Sequence, residues 1–224
     1  MTGICIICDR EIHAFHTGVC PRCYRELRRQ RLGYACDHRC CVCGFPLFEA
    51  DDRCIFHEEH ELYTIRLYFY RGRMQELIGR YKFNGIRRLS YLFAGLVNLE
   101  LKHLDKDETV LVPVPCSRRS LKQRGWDHMQ LVGRRLSVYY GYRVADLLNR
   151  PGGRGMQKAG SRSDRMAFRE VGYRVKRSAE RTAGGRQIIV IDDIMTTGST
   201  IRSAASALQD FTPKEIMALV LAMD

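Results

Sequence analysis

The chain has 224 residues, enough for one sizeable α/β domain and a small module, and too few for a large multidomain enzyme. With 45% hydrophobic and 28% charged residues it is composed to fold in water, and its longest apolar runs fall far short of the roughly 20 residues that span a bilayer. Lys and Arg number 37 against 25 Asp and Glu, a formal net charge of +12, so polyanions such as nucleic acid or phosphorylated ligands are the expected partners.

Nine of the ten cysteines lie at or before Cys54. The start of the chain lacks the basic start and long apolar stretch of a secretory signal, so the cytoplasm is the expected location and metal-bound thiolates are favoured over disulfides. The cysteine break places a boundary near residue 60, with residues 1–60 as a metal-stapled module and 61–224 as an ordinary domain. Cys5-x-x-Cys8 and Cys20-x-x-Cys23 form one pair of tight turns, and Cys40-x-x-Cys43 with Cys54-x-x-His57 a second. Two soft ligands on each turn can close a tetrahedral shell, so two structural zinc ions in a double zinc ribbon are the reading. Cys20 and Cys23 with Cys40 and Cys43 is also a permitted spacing. Cys36, Cys41 and Cys116 read as spare core thiols.

After the module, strand and helix patterns alternate. Thr64 to Tyr70 reads as a strand, and Arg73 to Tyr81 as a helix with Met74, Leu77, Ile78 and Tyr81 on one side. Leu89 to Leu104 is a second apolar-faced helix. Val110 to Val114 is a buried strand, followed by a basic loop and a helix from about Trp126 to Tyr140. Arg143 to Leu147, Gln187 to Ile191 and Glu215 to Leu221 read as strands, and Ser199 to Leu208 as a helix. This order predicts an α/β fold with a mainly parallel sheet covered on both faces, and a ligand at the carboxyl ends of its strands.

The run Ile188-Ile-Val-Ile-Asp192-Asp193-Ile-Met-Thr196-Thr197-Gly198-Ser199-Thr200 is the most informative stretch. A buried strand ends in two carboxylates, and a small, hydroxyl-rich turn opens a helix. Gly198 lets the backbone approach a ligand closely, and the amides of Thr197 to Thr200 converge on an anion at the helix amino terminus. Asp192 and Asp193 are placed to bind a vicinal diol or Mg²⁺ and to offset positive charge developing on a ribose carbon. A ribose 5-phosphate fits that combination. The bland alternative, a helix cap beside a solvated turn, makes poor sense of two carboxylates at the end of an all-apolar strand.

This run resembles the phosphoribosyl pyrophosphate (PRPP) signature of the type I phosphoribosyltransferases. The paired cysteine turns, Tyr70-Arg71-Gly72, Leu77-Ile78, Tyr81-Lys82-Phe83, Val112-Pro113-Val114-Pro115, Arg118 and Arg124-Gly125-Trp126 together resemble the ComF family of competence-associated proteins, with Gln157 and Arg165 in its late loop. The resemblance implies a type I phosphoribosyltransferase fold behind zinc ribbons, and a role with incoming single-stranded DNA in natural transformation beside a helicase-like partner. It places Asp192 and Asp193 on the ribose hydroxyls and metal, Thr196 to Thr200 on the 5-phosphate, and the turn after Val114 on pyrophosphate. Two departures stand out. Asp127-His128 replaces the family's usual Asn-Gln, and Met166-Ala167-Phe168 stands where an asparagine is common.

Arg71, Arg73, Arg80, Lys82, Arg87 and Arg88 surround Tyr68, Tyr70, Tyr81 and Phe83, and Arg118, Arg119, Lys122 and Arg124 precede Trp126. This mixture suits a single strand, with rings for bases and guanidinium groups for phosphates. A solvated basic surface with the aromatics in the core is the favoured reading for most of these aromatics, and periodicity puts Tyr81 inside. Lys82, Arg118, Arg119 and Arg124 are also candidates for pyrophosphate. From Arg150 to Arg186 there are eleven Lys or Arg residues among seven glycines, which reads as a basic lid or as a plain loop. The expected function is therefore a ComF-like protein that binds PRPP or a related nucleotide with Mg²⁺, and single-stranded DNA. Its rivals are an active transferase making or breaking a ribose–nitrogen bond, and a scaffold that keeps the ligand site only as structure.

Overall fold

The computed structural model describes residues 2–13, 17–32, 39–40, 62–150, 172–176 and 182–224. Strands β1 (Thr2–Ile4) and β2 (Glu11–His13) form an antiparallel hairpin, and helix α1 (Pro21–Arg29) follows. The domain proper begins with β3 (Thr64–Phe69), α2 (Gly72–Phe83), α3 (Leu89–Leu101) and β4 (Thr109–Pro113). It continues with α4 (Arg118–Arg124), α5 (His128–Tyr140) and the short strands β5 (Arg143–Val144), β6 (Leu148–Asn149) and β7 (Arg174–Val175). Strand β8 (Gln187–Met195), helix α6 (Ser199–Gln209) and strand β9 (Glu215–Met223) complete it.

Five strands form one parallel sheet in the order β3-β9-β8-β4-β5, while β6 and β7 pair as a separate antiparallel ribbon. Central β8 is apolar on both faces, as a strand covered by helices on each side must be. Its side chains alternate with the pleat. Ile189 and Ile191 join the layer of Leu77, Phe93 and Met129 from α2, α3 and α5, whereas Ile188 and Val190 join the layer of Ile201 and Leu208 from α6.

The cysteine module packs on the first of these layers. Cys5, Ile12, Val19, Cys20, Cys23 and Leu27 belong to the same apolar cluster as α2 and α3. The Tyr68 hydroxyl donates to the Leu27 carbonyl at 2.8 Å, the Leu32 amide to the Leu67 carbonyl at 2.9 Å and Arg80 Nη1 to the Ile6 carbonyl at 2.8 Å. Arg31 Nη1 meets Glu100 Oε1 of α3 at 2.5 Å. The sequence boundary near residue 60 falls among residues outside those described.

Three expectations need correction. The basic stretch after β4 is helix α4 and not a loop: Ser117 caps it by accepting the Ser120 amide at 3.0 Å, and Gly125 ends it in the left-handed region at φ 76°. Arg143 to Leu147 is a strand only through Val144, because β5 is an edge that pairs with Val110 and Leu111 alone. Strand β8 does not stop at Ile191, because Asp192, Ile194 and Met195 remain paired with Val220, Ala222 and Met223.

Helix α5 lies close enough to the sheet to require a glycine. A Cβ at Gly133 would stand 2.8 Å from Pro113 Cγ and 2.9 Å from Val144 Cγ1, atoms fixed by β4 and β5. Gly133→Ala should therefore lower stability by about 1–3 kcal/mol despite the better helix propensity of alanine, a loss that urea unfolding will register.

Candidate ribose phosphate site and cysteine cluster

Because β8 continues past Ile191, its two carboxylates inherit the pleat. Asp193 falls on the α2 and α5 side with Ile189 and Ile191, and Asp192 on the α6 side with Ile188 and Val190. Both are buried, at 7% and 6% exposure for Asp192 and Asp193. Asp193 Oδ2 meets Lys82 Nζ of α2 at 2.6 Å and also His128 Nε2 of α5. Burial works against its charge, but the His128 hydrogen bond and charge, with Lys82 behind them, hold the Asp193 carboxyl well below the usual carboxylate range. Asp192 has no such clamp. Its Oδ1 accepts the Asp193 amide at 2.9 Å, and burial followed by the neighbouring Asp193 charge pushes its carboxyl well above the usual range. The two groups thus differ: one is an anchored anion, the other a buried carboxyl whose charged form is disfavoured.

Beyond Met195 the chain turns through exposed Thr196 and Thr197 to Gly198, which caps α6 with φ 73°, a conformation that a side chain would strain. Thr197 Oγ1 donates to Ser199 Oγ at 3.1 Å, and Thr200 lies in the first turn of α6. A cleft of about 150 Å³ beside this turn is lined by Thr196, Thr197, Gly198 and two cations that the sequence did not single out, Arg66 and Arg202. Backbone amides at a helix start, with guanidinium groups beside them, are donors of the kind that bind anions.

A larger cleft of about 770 Å³ opens between the turn after β4 and the β6/β7 ribbon, with Arg118, Arg150, Arg174 and Lys176 among its lining. Of the four cations expected to serve pyrophosphate, Arg118 lines this cleft, and Arg119 is exposed and Arg124 half-buried on α4. Lys82 is engaged with Asp193. Cys116 is not a core thiol but half-buried at the mouth of the same cleft, next to Asp127.

His128 was visible in the sequence only as a departure from a family pattern. Its position follows from α5, which Asp127 caps by accepting the Met129 and Gln130 amides at 3.0 and 3.1 Å, and from Tyr81, whose hydroxyl donates to the His128 carbonyl at 2.6 Å. Among the aromatics interleaved with basic residues, Tyr68 and Tyr81 are buried and Trp126 packs edge-on against Tyr81, with ring centroids 5.0 Å apart. Phe83 is 78% exposed, with Lys82 beside it in sequence.

In the amino-terminal module the ligand atoms of Cys5, Cys8, Cys20 and Cys23 all lie within 4.8 Å of one another. The hairpin turn supplies the first two, and the N-cap and first turn of α1 supply the others. The Cys20 amide donates to Cys5 Sγ at 3.2 Å. Burial raises the Cys5 thiol, but amides from Cys20, Ile7 and Cys8 outweigh it and bring the group down to about 7. Such N–H···S bonds favour thiolates, so this donor set fits a zinc ion. Of the second set, Cys40 is buried, and Cys43, Cys54 and His57 lie outside the described residues, as do Cys36, Cys41, Gln157, Arg165 and most of the 150–186 segment.

Residues 134–224 match the family model of the phosphoribosyl transferase domain. The chain is 24% identical to competence protein ComFC of Bacillus subtilis over 206 residues, covering 92% of this chain and 77% of that one. It is 24% identical to DNA utilization protein YhgH of Escherichia coli over 215 residues, covering 92% and 90%. Over most of its length the chain is therefore similar to ComF proteins. A further ComFC, from Streptococcus pneumoniae, is 27% identical over 150 residues, covering 67% of this chain and 63% of that one. Among solved structures, the allosteric regulatory enzyme of purine biosynthesis aligns with a TM-score of 0.38 at 15% identity, over 59% of this chain and 26% of that one. A protein from Aquifex aeolicus aligns with a TM-score of 0.38 at 14% identity, over 72% and 87%. This chain has, among its described residues, no helix long and apolar enough to cross a membrane.

Proposed function

We propose that this ComF-like chain binds PRPP or a related ribose phosphate together with Mg²⁺ at the carboxyl end of β8, and that it acts on single-stranded DNA during DNA uptake. The observation that carries the reading is the single turn in which β8, Asp192, Asp193, Gly198 and the start of α6 come together, inside the segment that matches the phosphoribosyl transferase domain. Thr196, Thr197, Gly198, Ser199 and Thr200 receive the 5-phosphate. Asp192 takes the ribose hydroxyls or Mg²⁺, whose preference for hard oxygen donors a carboxylate meets. Asp193 forms the ribose-side rim, held by Lys82 and His128. Arg118 and Arg124 serve the pyrophosphate. Residues 1–60 are a double zinc ribbon, with one ion on Cys5, Cys8, Cys20 and Cys23 and another on Cys40, Cys43, Cys54 and His57. Residues 61–224 are the phosphoribosyltransferase-type domain. The names of the relatives, a competence protein and a DNA utilization protein, support the DNA role; a cytoplasmic setting and a helicase-like partner belong to the same proposal.

Calorimetric titration with PRPP and Mg²⁺ tests the ligand. Asp192→Asn should weaken binding about 10–100-fold, the value of a hydrogen bond to a charged group. The same substitution should stabilise the free protein by about 1–2 kcal/mol, because it removes a buried carboxylate pressed against another. Unchanged affinity overturns the site assignment. For single-stranded DNA, log affinity should fall linearly with log salt at a slope of roughly −0.7 per phosphate neutralised, and a flat response removes the DNA interface from the basic face.

The domain match also favours the second reading, an active transferase, with Asp192 and Asp193 stabilising positive charge on the ribose. Release of pyrophosphate from PRPP in the presence of a base or amine distinguishes it from binding alone.

A further inference from the structure

His128 has two ring nitrogens, and the ribose-side contacts use one of them. Nε2 faces Asp193, which leaves Nδ1 as the nitrogen with no partner in the fold. Nδ1 is buried. The side chain is 7% exposed, and Nδ1 makes no hydrogen bond among the described residues. It points towards Asp127, whose Oδ1 is 4.0 Å away.

Asp127 cannot supply a donor. Its carboxylate already accepts three backbone amides, from Met129 and Gln130 on Oδ1 and from Cys116 on Oδ2 at 2.7 Å. A ring nitrogen without a partner and a carboxylate therefore face each other in a buried place, and the Cys116 thiol, hydrogen-bonded to Asp127, stands with them. The ligand atoms of Cys116, Asp127 and His128 all lie within 4.8 Å of one another.

We propose that Cys116, Asp127 and His128 form a further metal site, for a borderline-soft divalent ion of the zinc type, with Asp193 as the carboxylate that orients the imidazole from behind. A thiolate, an imidazole and a carboxylate are zinc ligands, whereas a thiolate is a poor ligand for Mg²⁺. A carboxylate on the far nitrogen of a ligating histidine is the usual way such a ring is fixed and made more basic. Three protein ligands leave a position open, and two of the three, Cys116 and Asp127, line the 770 Å³ cleft. Lys82 and Arg124 oppose a cation here. Against them stand Asp127, Asp193 and the thiolate that forms as the ion displaces the Cys116 proton. The site is distinct from the four-cysteine cluster, and it stands whether or not the ribose phosphate reading holds, because it is measured without that ligand.

The test is metal content, together with ¹¹³Cd NMR, on the full chain loaded with ¹¹³Cd²⁺. Wild type should bind one equivalent more than either Cys116→Ser or His128→Gln, and both variants should lose the same mixed sulfur, nitrogen and oxygen resonance while the four-thiolate resonance persists. Asp193→Asn should keep that resonance but weaken the ion about 10–100-fold. Equal metal content in wild type and both variants overturns the proposal and assigns His128 instead as an imidazolium held between Asp127 and Asp193. Should His128→Gln fail to fold, Cys116→Ser, a one-atom change at a half-buried position, carries the comparison by itself.

Discussion

Asp193→Ala should destabilise the chain by about 3–5 kcal/mol, the usual cost of removing one partner from a buried charge cluster. Lys82 at 17% and His128 at 7% side-chain exposure would be left facing each other with no anion between them. The pH dependence separates the two carboxylates. Asp193 has its native pKa held down, so its stabilisation is fully present above the unfolded carboxyl value of about 4 and is lost as pH falls through the native value. Asp192 has its native pKa pushed up, so its contribution has the opposite sign: it is present below about 4 and lost as pH rises through the native value. Urea unfolding between about pH 3 and 8 should show the gap between wild type and Asp193→Ala narrowing on acidification, and that between wild type and Asp192→Asn narrowing likewise. Asp193→Ala also removes the charge that pushes Asp192 up, so the alkaline fall should flatten in that variant. Parallel profiles for all three proteins contradict the assignment.

Cys8→Ser should cost on the order of 5 kcal/mol, a drop in Tm of about 10–20 °C, and a chelator should reproduce the loss in wild type. Cys8 is the exposed member of the four-cysteine cluster. Without an ion its replacement by serine is a surface change worth within about 0.5 kcal/mol, so a large loss marks metal rather than packing. The loss spreads beyond the hairpin because Cys5, Cys20, Cys23 and Leu27 belong to the same apolar layer as α2 and α3, and the Leu27 carbonyl receives the Tyr68 hydroxyl. Thermal melts of wild type with and without chelator, beside Cys8→Ser, decide it. Identical Tm values in all three show a cluster of free thiols.

Much of this architecture was legible because it rests on local patterns. Gln187 to Ile191 is too short and too β-branched for anything but a buried strand, and Met74, Leu77, Ile78 and Tyr81 repeat at helical spacing along α2. Helix α4 escaped because its seven residues bury no side chain, which leaves no apolar stripe to read, yet Ser117 and Gly125 mark both its ends. The extension of β8 escaped because two aspartates look like the end of a strand, whereas their ladder is completed by β9, a partner invisible to a local reading. That extension is what splits Asp192 from Asp193. Once the pleat sends Asp193 to the α2 side, its meeting with Lys82 and His128 depends on contacts spanning 111 and 65 residues, which no spacing rule encodes.

The central claim concerns the turn from β8 into α6, and a crystal structure of the chain with PRPP and Mg²⁺ tests it most directly. The account predicts the 5-phosphate within hydrogen-bond distance of the amides of Thr197 to Thr200, with the ribose hydroxyls or the metal on Asp192 and the Lys82–Asp193–His128 cluster unbroken. A phosphate bound instead among Arg118, Arg150, Arg174 and Lys176, with the Gly198 turn empty, contradicts it.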